Sequence, residues 1–320
     1  MLKTLLSRIP QLVIVVIGAS FLTFAIVNIL PGDIVHQILG DSYTPEAAAQ
    51  LRSQLHLNDP FLVRYLRYIG DALTGNLGTS LVPPHQDVSE LVGKAIFPTL
   101  ELVVLGQICG IVIGILLAVL SVATRNRIVD AVISAIALVT SSLPGFVLGL
   151  LLLELLSVKL QLVSPLGWVS PFDNGGDWGQ NLSHIALPSV LVGLFSFPLI
   201  MRVFRAELVD RIDNEDYIVL ARLKGLSTRR VITAHMIRNS SFGVVTVVGV
   251  NVARLIGGIV VIEQVFSIPG MGTLIRNSVI QHDAATSVAC ISLVAIFVVV
   301  VNLLVDLAYA WLDPQVRDAA

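Results

Sequence analysis

The chain has 320 residues, of which 55 % are hydrophobic and only 13 % are charged, and its formal net charge is −2. Ordinary soluble domains carry about 25 % charged residues, so this composition excludes a soluble enzyme and a disordered chain. The small net charge also argues against a nucleic-acid partner. With a mean hydropathy of +0.86, the chain is expected to lie in a lipid bilayer.

Six charge-poor stretches approach or exceed the length of about 20 residues that a helix needs to cross the hydrocarbon core. They are residues 9–30, 97–123, 131–156, 185–201, 240–262 and 284–312. Backbone groups that face lipid must form their hydrogen bonds within their own helix, so we predict an all-α integral membrane protein with six transmembrane helices. The first stretch has the basic flank of a signal peptide, but its apolar run is too long and no small-residue cleavage site follows, so we predict a retained helix.

Basic residues set the expected orientation of the spans. If the N-terminus is cytoplasmic, most of the 20 Lys and Arg residues fall in cytoplasmic segments. Because cytoplasmic loops carry the excess of Lys and Arg, both termini are predicted to be cytoplasmic.

The segment between the first two spans, residues 31–96, is too long for a simple connection. Thr44, Pro45 and Glu46 predict a helix start, with an N-cap, a proline at the first position and an acidic first turn. A second helix is predicted after Pro60 from an apolar stripe at helical spacing. The stripe consists of Phe61, Leu62, Tyr65, Leu66, Ile69 and Leu73. We predict a small ordered extracytoplasmic cap packed on the outer ends of the spans; a solvated loop is the alternative.

The cytoplasmic segment 202–239 is the second long connection, and its centre, residues 215–227, reads as a short amphipathic helix. Gly225 is placed to end that helix in the left-handed conformation. Ser227 can then cap a second helix. From periodicity alone, a surface hairpin without a partner or a basic loop at anionic lipid head groups remains open.

Small residues recur every fourth position within the spans, a pattern that lets membrane helices approach closely. The three sets are Gly106, Gly110 and Gly114; Gly145 and Gly149; and Gly249, Ala253 and Gly257. Pro144 and Gly145 interrupt the third span near its middle. This break fits either a kink at a pathway or hinge, or an ordinary proline of a membrane helix.

The sequence carries no Walker A loop, no GxSxG, HExxH or CxxC motif, and no histidine pair at metal-ligand spacing. We therefore predict no catalytic residue and no metal site in this chain. Cys109 and Cys290 lie in apolar runs and are read as small core residues.

Ionisable groups at bilayer depth are the remaining candidates, because they usually face a bundle interior or a water-filled path. Arg254 lies about 12 Å, and Glu101 about 6 Å, inside their spans from the outer side. Arg254 either pairs structurally with Glu101 or lines a pathway and attracts a carboxylate on the cargo. Alternatively, Glu101 does not pair with Arg254 and simply lies at the level of the lipid head groups. Together with Pro144 these two residues are the pathway candidates.

The cytoplasmic segment also resembles a known family. Asp216-Tyr217 followed by Ala221-Arg222-Leu223-Lys224-Gly225-Leu226-Ser227 resembles the loop of binding-protein-dependent ABC importer permeases that carries the EAA motif, Glu-Ala-Ala-x-x-x-Gly. The second alanine and the glycine match as Ala221 and Gly225, while Val219 and Leu220 replace the first two positions. The dipeptide, oligopeptide and nickel branch reads Tyr-x-x-x-Ala-x-x-Lys-Gly-Leu at this place, which this chain matches.

Further stretches resemble the same branch in the same order along nearly the whole chain. They are Leu30-Pro31-Gly32-Asp33, Leu57-Asn58-Asp59-Pro60-Phe61, Gly75-Asn76-Leu77-Gly78-Thr79-Ser80, Phe266-Ser267-Ile268-Pro269-Gly270-Met271-Gly272 and Leu312-Asp313-Pro314-Gln315-Val316-Arg317. The large region after the first span resembles the B-type subunit of that branch.

The resemblance implies a type I ABC importer permease in the bacterial inner membrane. Its implied partners are a second homologous permease, two ATPases and an extracytoplasmic substrate-binding protein, besides membrane lipid. ATP and Mg²⁺ would be bound by the ATPases and no cofactor by this chain, which is not itself an enzyme. The short cytoplasmic helix would be the coupling helix that contacts one ATPase, through Glu215, Asp216, Tyr217, Ala221, Lys224, Gly225, Leu226 and Ser227.

The expected cargo is a dipeptide or oligopeptide, with nickel, glutathione or another small solute as alternatives. A secondary transporter is a weaker rival, because no internal repeat or set of mid-span acids is evident. The expected domains are an N-terminal helix (1–30), the cap (31–96), a permease core (97–313) that contains the coupling loop (202–239), and a cytoplasmic tail (314–320).

Overall fold

The computed structural model describes residues 2–29, 34–124, 126–163, 166–172, 176–214 and 236–312, and these are predominantly helical. The helices in the first third of the chain are α1 (Leu2–Ile29), α2 (Ile34–Leu39), α3 (Pro45–Gln54) and α4 (Phe61–Leu73). The helices that follow are α5 (Val88–Thr124), α6 (Arg127–Ser142), α7 (Gly145–Leu152), α8 (Trp178–Asn214), α9 (Ile237–Phe266), α10 (Met271–Ile280) and α11 (Ala284–Leu312). A π-helical segment, Leu153–Lys159, continues α7.

The predicted spans are found as helices, with differences in continuity. Within the described residues, Val88–Thr124, Trp178–Ile212 and Ala284–Val305 are each long and apolar enough to cross a membrane. Two bent helix pairs raise this number to as many as five, and the predicted first span forms α1, with Val13–Ile29 as a shorter apolar segment. The predicted span 185–201 is the middle of the 37-residue helix α8, which continues through two prolines.

The predicted span 131–156 is not one continuous helix. The segments Arg127–Ser142 and Gly145–Lys159 meet at an angle of 109°. Pro144 has no N–H to donate and disfavours helical geometry in the residue before it, and Leu143 is accordingly extended, with ψ of 136°. The interruption predicted at Pro144 and Gly145 is confirmed, and it is a sharp break rather than a gentle kink.

The chain divides into two compact units, and the first unit comprises Leu2–Thr99 and Pro269–Val300. The predicted helix starts in it are confirmed: the Thr44 side chain accepts a hydrogen bond from the Ala47 amide at 3.2 Å, and Pro45 is the first residue of α3. The second predicted helix is α4, which begins directly after Pro60.

The apolar stripe of α4 packs on α1. Tyr65 is 5 % exposed, its hydroxyl lies 2.8 Å from Ser20 Oγ, and it donates to the Ile17 carbonyl at 3.1 Å. The rings of Phe24 and Phe61 lie 5.3 Å apart beside it. α4 therefore contacts residues 17–24, in the C-terminal half of α1, because the aromatic stripe and the Tyr65 hydroxyl have their partners there.

The second unit comprises Leu100–Ile268 and Val301–Ala320, and its core is built on α8. Fully buried side chains of α8 (Phe197, Ile200, Met201, Phe204 and Leu208) pack with buried residues of α6 and α9. α5 lies directly against α8 through its glycines: a Cβ on Gly110 would lie 2.6 Å from Ser196 Cβ, and one on Gly114 would lie 2.9 Å from Ile200 Cγ2. The predicted small-residue contact is confirmed for α5, and its partner is α8.

Candidate functional site: a cavity with two arginines

A cavity of about 500 Å³, partly open to the surface, lies in the second unit. Three elements border it: the break between α6 and α7, the middle of α8, and one face of α9. Its volume is within the range of about 300–1,000 Å³ that is common for small-molecule sites. It is therefore the candidate functional site of this unit.

The first wall is made by the helix break that Pro144 causes. Ser141, Leu143, Gly145 and Phe146 line the cavity on either side of that proline. Because Gly145 has no side chain, the ring of Phe195 on α8 can pack close to it: a Cβ at Gly145 would lie 3.2 Å from that ring. The break thus exposes helix ends and apolar surface to the cavity, and Pro144, a predicted pathway residue, creates this wall without being one of its lining residues.

The second and third walls come from α8 and α9. Phe195, Pro198, Leu199 and Arg202 line the cavity from α8, at the spacing of one helix face. The residues from α9 share one face as well: Asn251, Arg254, Leu255, Gly258, Val261 and Ile262. The two halves of α9, Gly243–Val252 and Gly257–Phe266, are bent by 66°. Of the two spans that border the cavity beside α8, one is therefore broken at Pro144 and the other, α9, is bent but continuous.

The charge of the cavity wall is positive. Among the described residues that line it, the ionisable side chains are Arg202 and Arg254, and both are exposed. Arg202 Nη2 reaches Ser141 Oγ in a long hydrogen bond of 3.5 Å. Within the described part of the chain, neither guanidinium forms an ion pair with a carboxylate. The structure thus places the predicted pathway residue Arg254 on the cavity wall and adds a second arginine that sequence reasoning had assigned only to the cytoplasmic loop.

Glu101 has partners other than the predicted Arg254. Its Oε2 accepts hydrogen bonds from Trp168 Nε1 at 2.8 Å and from Asn181 Nδ2 at 3.2 Å. Asn181 is fully buried and also donates to the Val169 carbonyl at 2.9 Å. Glu101 therefore holds the segment around Trp168 to α5 and α8. Glu101 thus belongs to a hydrogen-bond network with Trp168 and Asn181, whereas Arg254 lines the cavity.

A buried polar pair adjoins the cavity. Asn251 on the wall is 6 % exposed and donates from Nδ2 to Gln107 Oε1 on α5 at 3.3 Å. Gln107 is equally buried, and its Nε2 has no hydrogen-bond partner within the described structure. Sequence analysis missed this pair, because uncharged amides within apolar runs gave no signal of which helices would meet.

A second feature that sequence analysis missed lies where α5, α6 and α8 meet. Arg205 Nε and Nη2 donate to the two carboxylate oxygens of Asp130 at 2.9 and 2.8 Å, and Ser121 Oγ also donates to Asp130. Such two-point pairs fix orientation as well as distance. Asp130 is visible in the sequence as an acidic residue in a first helical turn, but nothing there identifies Arg205 as its partner.

The predicted ATPase-contacting residues, 215–227, lie outside the described residues. The helix that leads into them is described: α8 runs without interruption from Trp178 to Asn214. The predicted coupling segment therefore begins directly at the end of the helix that forms one wall of the cavity. Its residues stay predictions.

The comparisons with known proteins define the class. A family model described as "Binding-protein-dependent transport system inner membrane component" matches residues 110–318, and the model of the family's N-terminal region matches residues 1–83. Two chains of the MetNI methionine ABC transporter, in inward-facing conformations, show the same fold; for one of them the TM-score is 0.57 at 18 % identity, over 70 % of this chain and 96 % of that one. The chain has the all-α fold of an ABC importer permease.

The chain belongs to the binding-protein-dependent transport system inner membrane component family. It is similar over 99 % of its length to the glutathione transport system permease protein GsiC of Salmonella paratyphi A, at 35 % identity and covering 98 % of that protein. It is equally similar to the dipeptide transport system permease protein DppB of Escherichia coli K12, at 34 % identity over 99 % of both chains. The predicted resemblance to the dipeptide and oligopeptide branch is confirmed, and the chain is a membrane-embedded permease subunit.

Proposed function

We propose that this chain is the permease subunit of an ATP-driven importer of peptides and forms half of the translocation pathway across the inner membrane. The observation that carries the proposal is the cavity of about 500 Å³, which lies beside one broken and one bent span of an ABC permease fold. Its apolar walls, from Phe146, Phe195 and Leu199, are suited to side chains of varied shape. The similarity to DppB along the full chain supports a peptide cargo.

The chain would work within a larger assembly. We propose a second homologous permease, two ATPases that bind ATP and Mg²⁺, and an extracytoplasmic binding protein that delivers the cargo. Both termini would be cytoplasmic, which places the end of α8 and residues 215–227 on the ATPase side. Ala221 and Gly225 would mark the ATPase contact.

The path from ATPase to cavity follows α8. Arg202 on the cavity wall and Asn214 at the helix end are separated by about 18 Å of helix, at a rise of about 1.5 Å per residue. Arg205, between them, is held to Asp130 on α6 by two hydrogen bonds. When the ATPases close, a movement of residues 215–227 would therefore move α8 and α6 together and change the shape of the cavity between them. ATP binding would in this way favour one of two conformations of the permease.

A second cargo is supported by a specific comparison. GsiC, a glutathione permease, is as similar to this chain as DppB is. Glutathione is itself a tripeptide, so a peptide pathway and a glutathione pathway need the same kind of cavity. Nickel stays the third alternative of the same family.

Transport by the assembled complex tests the proposal. The chain is purified with its permease, ATPase and binding-protein partners and reconstituted in proteoliposomes. We expect uptake of labelled dialanine that requires ATP and the binding protein. Uptake that proceeds equally with a non-hydrolysable ATP analogue, or no uptake of any peptide, would contradict the proposed function.

The coupling role of Gly225 is tested in the same vesicles. If its backbone has a positive φ, a β-branched residue there costs roughly 1 kcal/mol or more, so Gly225→Val is expected to abolish uptake while basal ATP hydrolysis continues. Gly225→Ala, with a smaller side chain, is the graded control. Normal uptake together with normal stimulation of ATP hydrolysis by substrate in Gly225→Val would refute the assignment.

A further inference from the structure

The cavity carries two positive charges that no described carboxylate neutralises. Arg202 extends from α8 and Arg254 from α9, and both belong to the lining of the same cavity. Asn251, on the same face of α9 as Arg254, adds a buried amide to this wall. Charged groups at membrane depth normally face a water-filled path or a partner of opposite charge. Here the described chain provides the cavity but no negatively charged partner, so a bound molecule can supply that partner.

We infer that this cavity is a carboxylate-binding site, and that Arg254 and Arg202 hold the C-terminal carboxylate of the cargo as it passes through the membrane. This inference rests on the proposed function and names the chemical group by which the pathway recognises its substrate. It identifies Arg202, together with Arg254, as a cargo-contacting residue.

Guanidinium chemistry favours this group. A guanidinium offers paired N–H donors in a plane, which match the two oxygens of a carboxylate, and it stays protonated at any physiological pH. Every unmodified peptide carries one such carboxylate, whatever its side chains are. A site that reads only this group therefore accepts many peptides, while the apolar surface of Phe146 and Phe195 tolerates their varied side chains.

The same charges select against the cationic alternative. A bare divalent metal ion would be repelled by the two guanidiniums and would find no carboxylate ligand among the described lining residues. Within the family's range of cargos, the cavity thus favours peptides and glutathione over free nickel ions.

The test compares two cargos that differ only in the group to be recognised: dialanine, with a free carboxylate, and dialanine amide, without it. ATP-dependent uptake of both is measured in proteoliposomes containing the complete complex, for the unmodified chain and for Arg254→Gln and Arg202→Gln. The same binding protein delivers both cargos in every case, so its own selectivity cancels when the acid-to-amide uptake ratio is compared between variants.

We expect each substitution to lower the ratio by about tenfold, which is the effect of losing one hydrogen-bonded charge pair. Arg254→Lys and Arg202→Lys keep the charge and are expected to retain part of the preference. Arg127→Gln removes an exposed arginine at the start of α6, away from the cavity, and is the control expected to leave the ratio unchanged.

The outcomes separate the inference from the proposed function. If the unmodified complex transports dialanine and the glutamine variants lower both cargos equally, or neither, then the arginines are structural and the inference is wrong while the proposed function stands. If the complex transports glutathione but no dipeptide, the proposed peptide cargo fails, and the two variants are then assayed with glutathione and its amidated form. An unchanged ratio there would overturn the inference as well.

Discussion

Two regions of the second unit both contain glycines, but the surroundings of these glycines differ. Between α5 and α8, glycines on one helix face side chains of the other: Gly106 contacts Val192, and a Cβ on Gly110 would lie 2.6 Å from Ser196 Cβ. At the bend of α9, Gly257 and Gly258 instead border open space. Gly258 lines the cavity and has nothing within 4 Å of where its Cβ would stand.

The difference shows that glycine has two uses within one membrane domain. In lipid there is no hydrophobic drive to bring helices together, so close approach through small residues is what holds α5 to α8. Where a proline has broken one span and another is bent, the same small residues leave room for water and cargo. The α5–α8 contact is therefore expected to be the rigid part of this unit, and the cavity walls its adjustable part.

The largest effect is expected from filling the rigid contact. In Gly110→Leu the new side chain meets Ser196 Cβ and, at 3.2 Å, the Gly193 carbonyl oxygen, so the two helix backbones must separate. Overpacking of this kind costs about 1–3 kcal/mol, and we expect the yield of folded, monodisperse complex in detergent to fall by about tenfold or more.

The matched control places the same side chain at an open glycine. Gly257 has nothing within 4 Å of its Cβ position, so Gly257→Leu is expected to keep the yield within about twofold of the unmodified chain. Equal losses for the two variants would break the distinction between a glycine in a close helix contact and a glycine beside open space.

A smaller effect is expected at the junction of α5, α6 and α8. The side chains of Arg205 and Asp130 are 37 % and 33 % exposed, so water screens part of their attraction. We expect a coupling free energy of about 1 kcal/mol from a double-mutant cycle with Arg205→Ala and Asp130→Ala, measured by unfolding in detergent.

An exposed ion pair in the first unit is the comparison for that cycle. Lys94 and Glu90 lie 2.6 Å apart on one helix surface, but their side chains are 66 % and 56 % exposed. Their cycle is expected to give no more than about 0.5 kcal/mol. A coupling between Arg205 and Asp130 no larger than this would mean that the pair does not tie α8 to α6.

The sequence allowed the membrane-spanning helices and the break at Pro144 to be predicted, because length, hydropathy and proline act locally, whereas the bend of α9 was not predicted. The start of α3 at Pro45 and the break at Pro144 are of this kind. The spacing of Gly106, Gly110 and Gly114 also predicted a close helix contact, since small residues at every fourth position form a flat helix face on which a second helix can pack. It did not identify α8 as the partner, because spacing along one helix carries no information about its neighbour.

The same limit explains the candidate site. Depth along a span can be counted from the sequence, and on that basis pairing with Glu101 is one of the two roles predicted for Arg254. Depth does not fix which way a side chain points around its helix axis, and Glu101 instead meets Trp168 and Asn181. Arg202 was missed for a related reason: counted as the first cytoplasmic residue after a span, it lies on a cavity wall because α8 continues past it as one helix.

The smallest effect has the opposite sign and concerns Gly257 on α9. No left-handed backbone angle occurs there, and no atom lies within 4 Å of a Cβ position, so alanine fits without strain. Alanine is the better helix former by about 0.5–1 kcal/mol, because it restricts the unfolded chain more than glycine does. Gly257→Ala is therefore expected to raise the free energy of unfolding by up to that amount, whereas Gly110→Ala is expected to lower it. Both variants are measured by unfolding of the isolated chain and of the assembled complex. If Gly257→Ala stabilises the isolated chain but weakens the complex, another subunit packs on that face and the glycine is not open in the working transporter. If it destabilises both, the bend of α9 itself needs glycine, and this part of α9 is then as constrained as the α5–α8 contact.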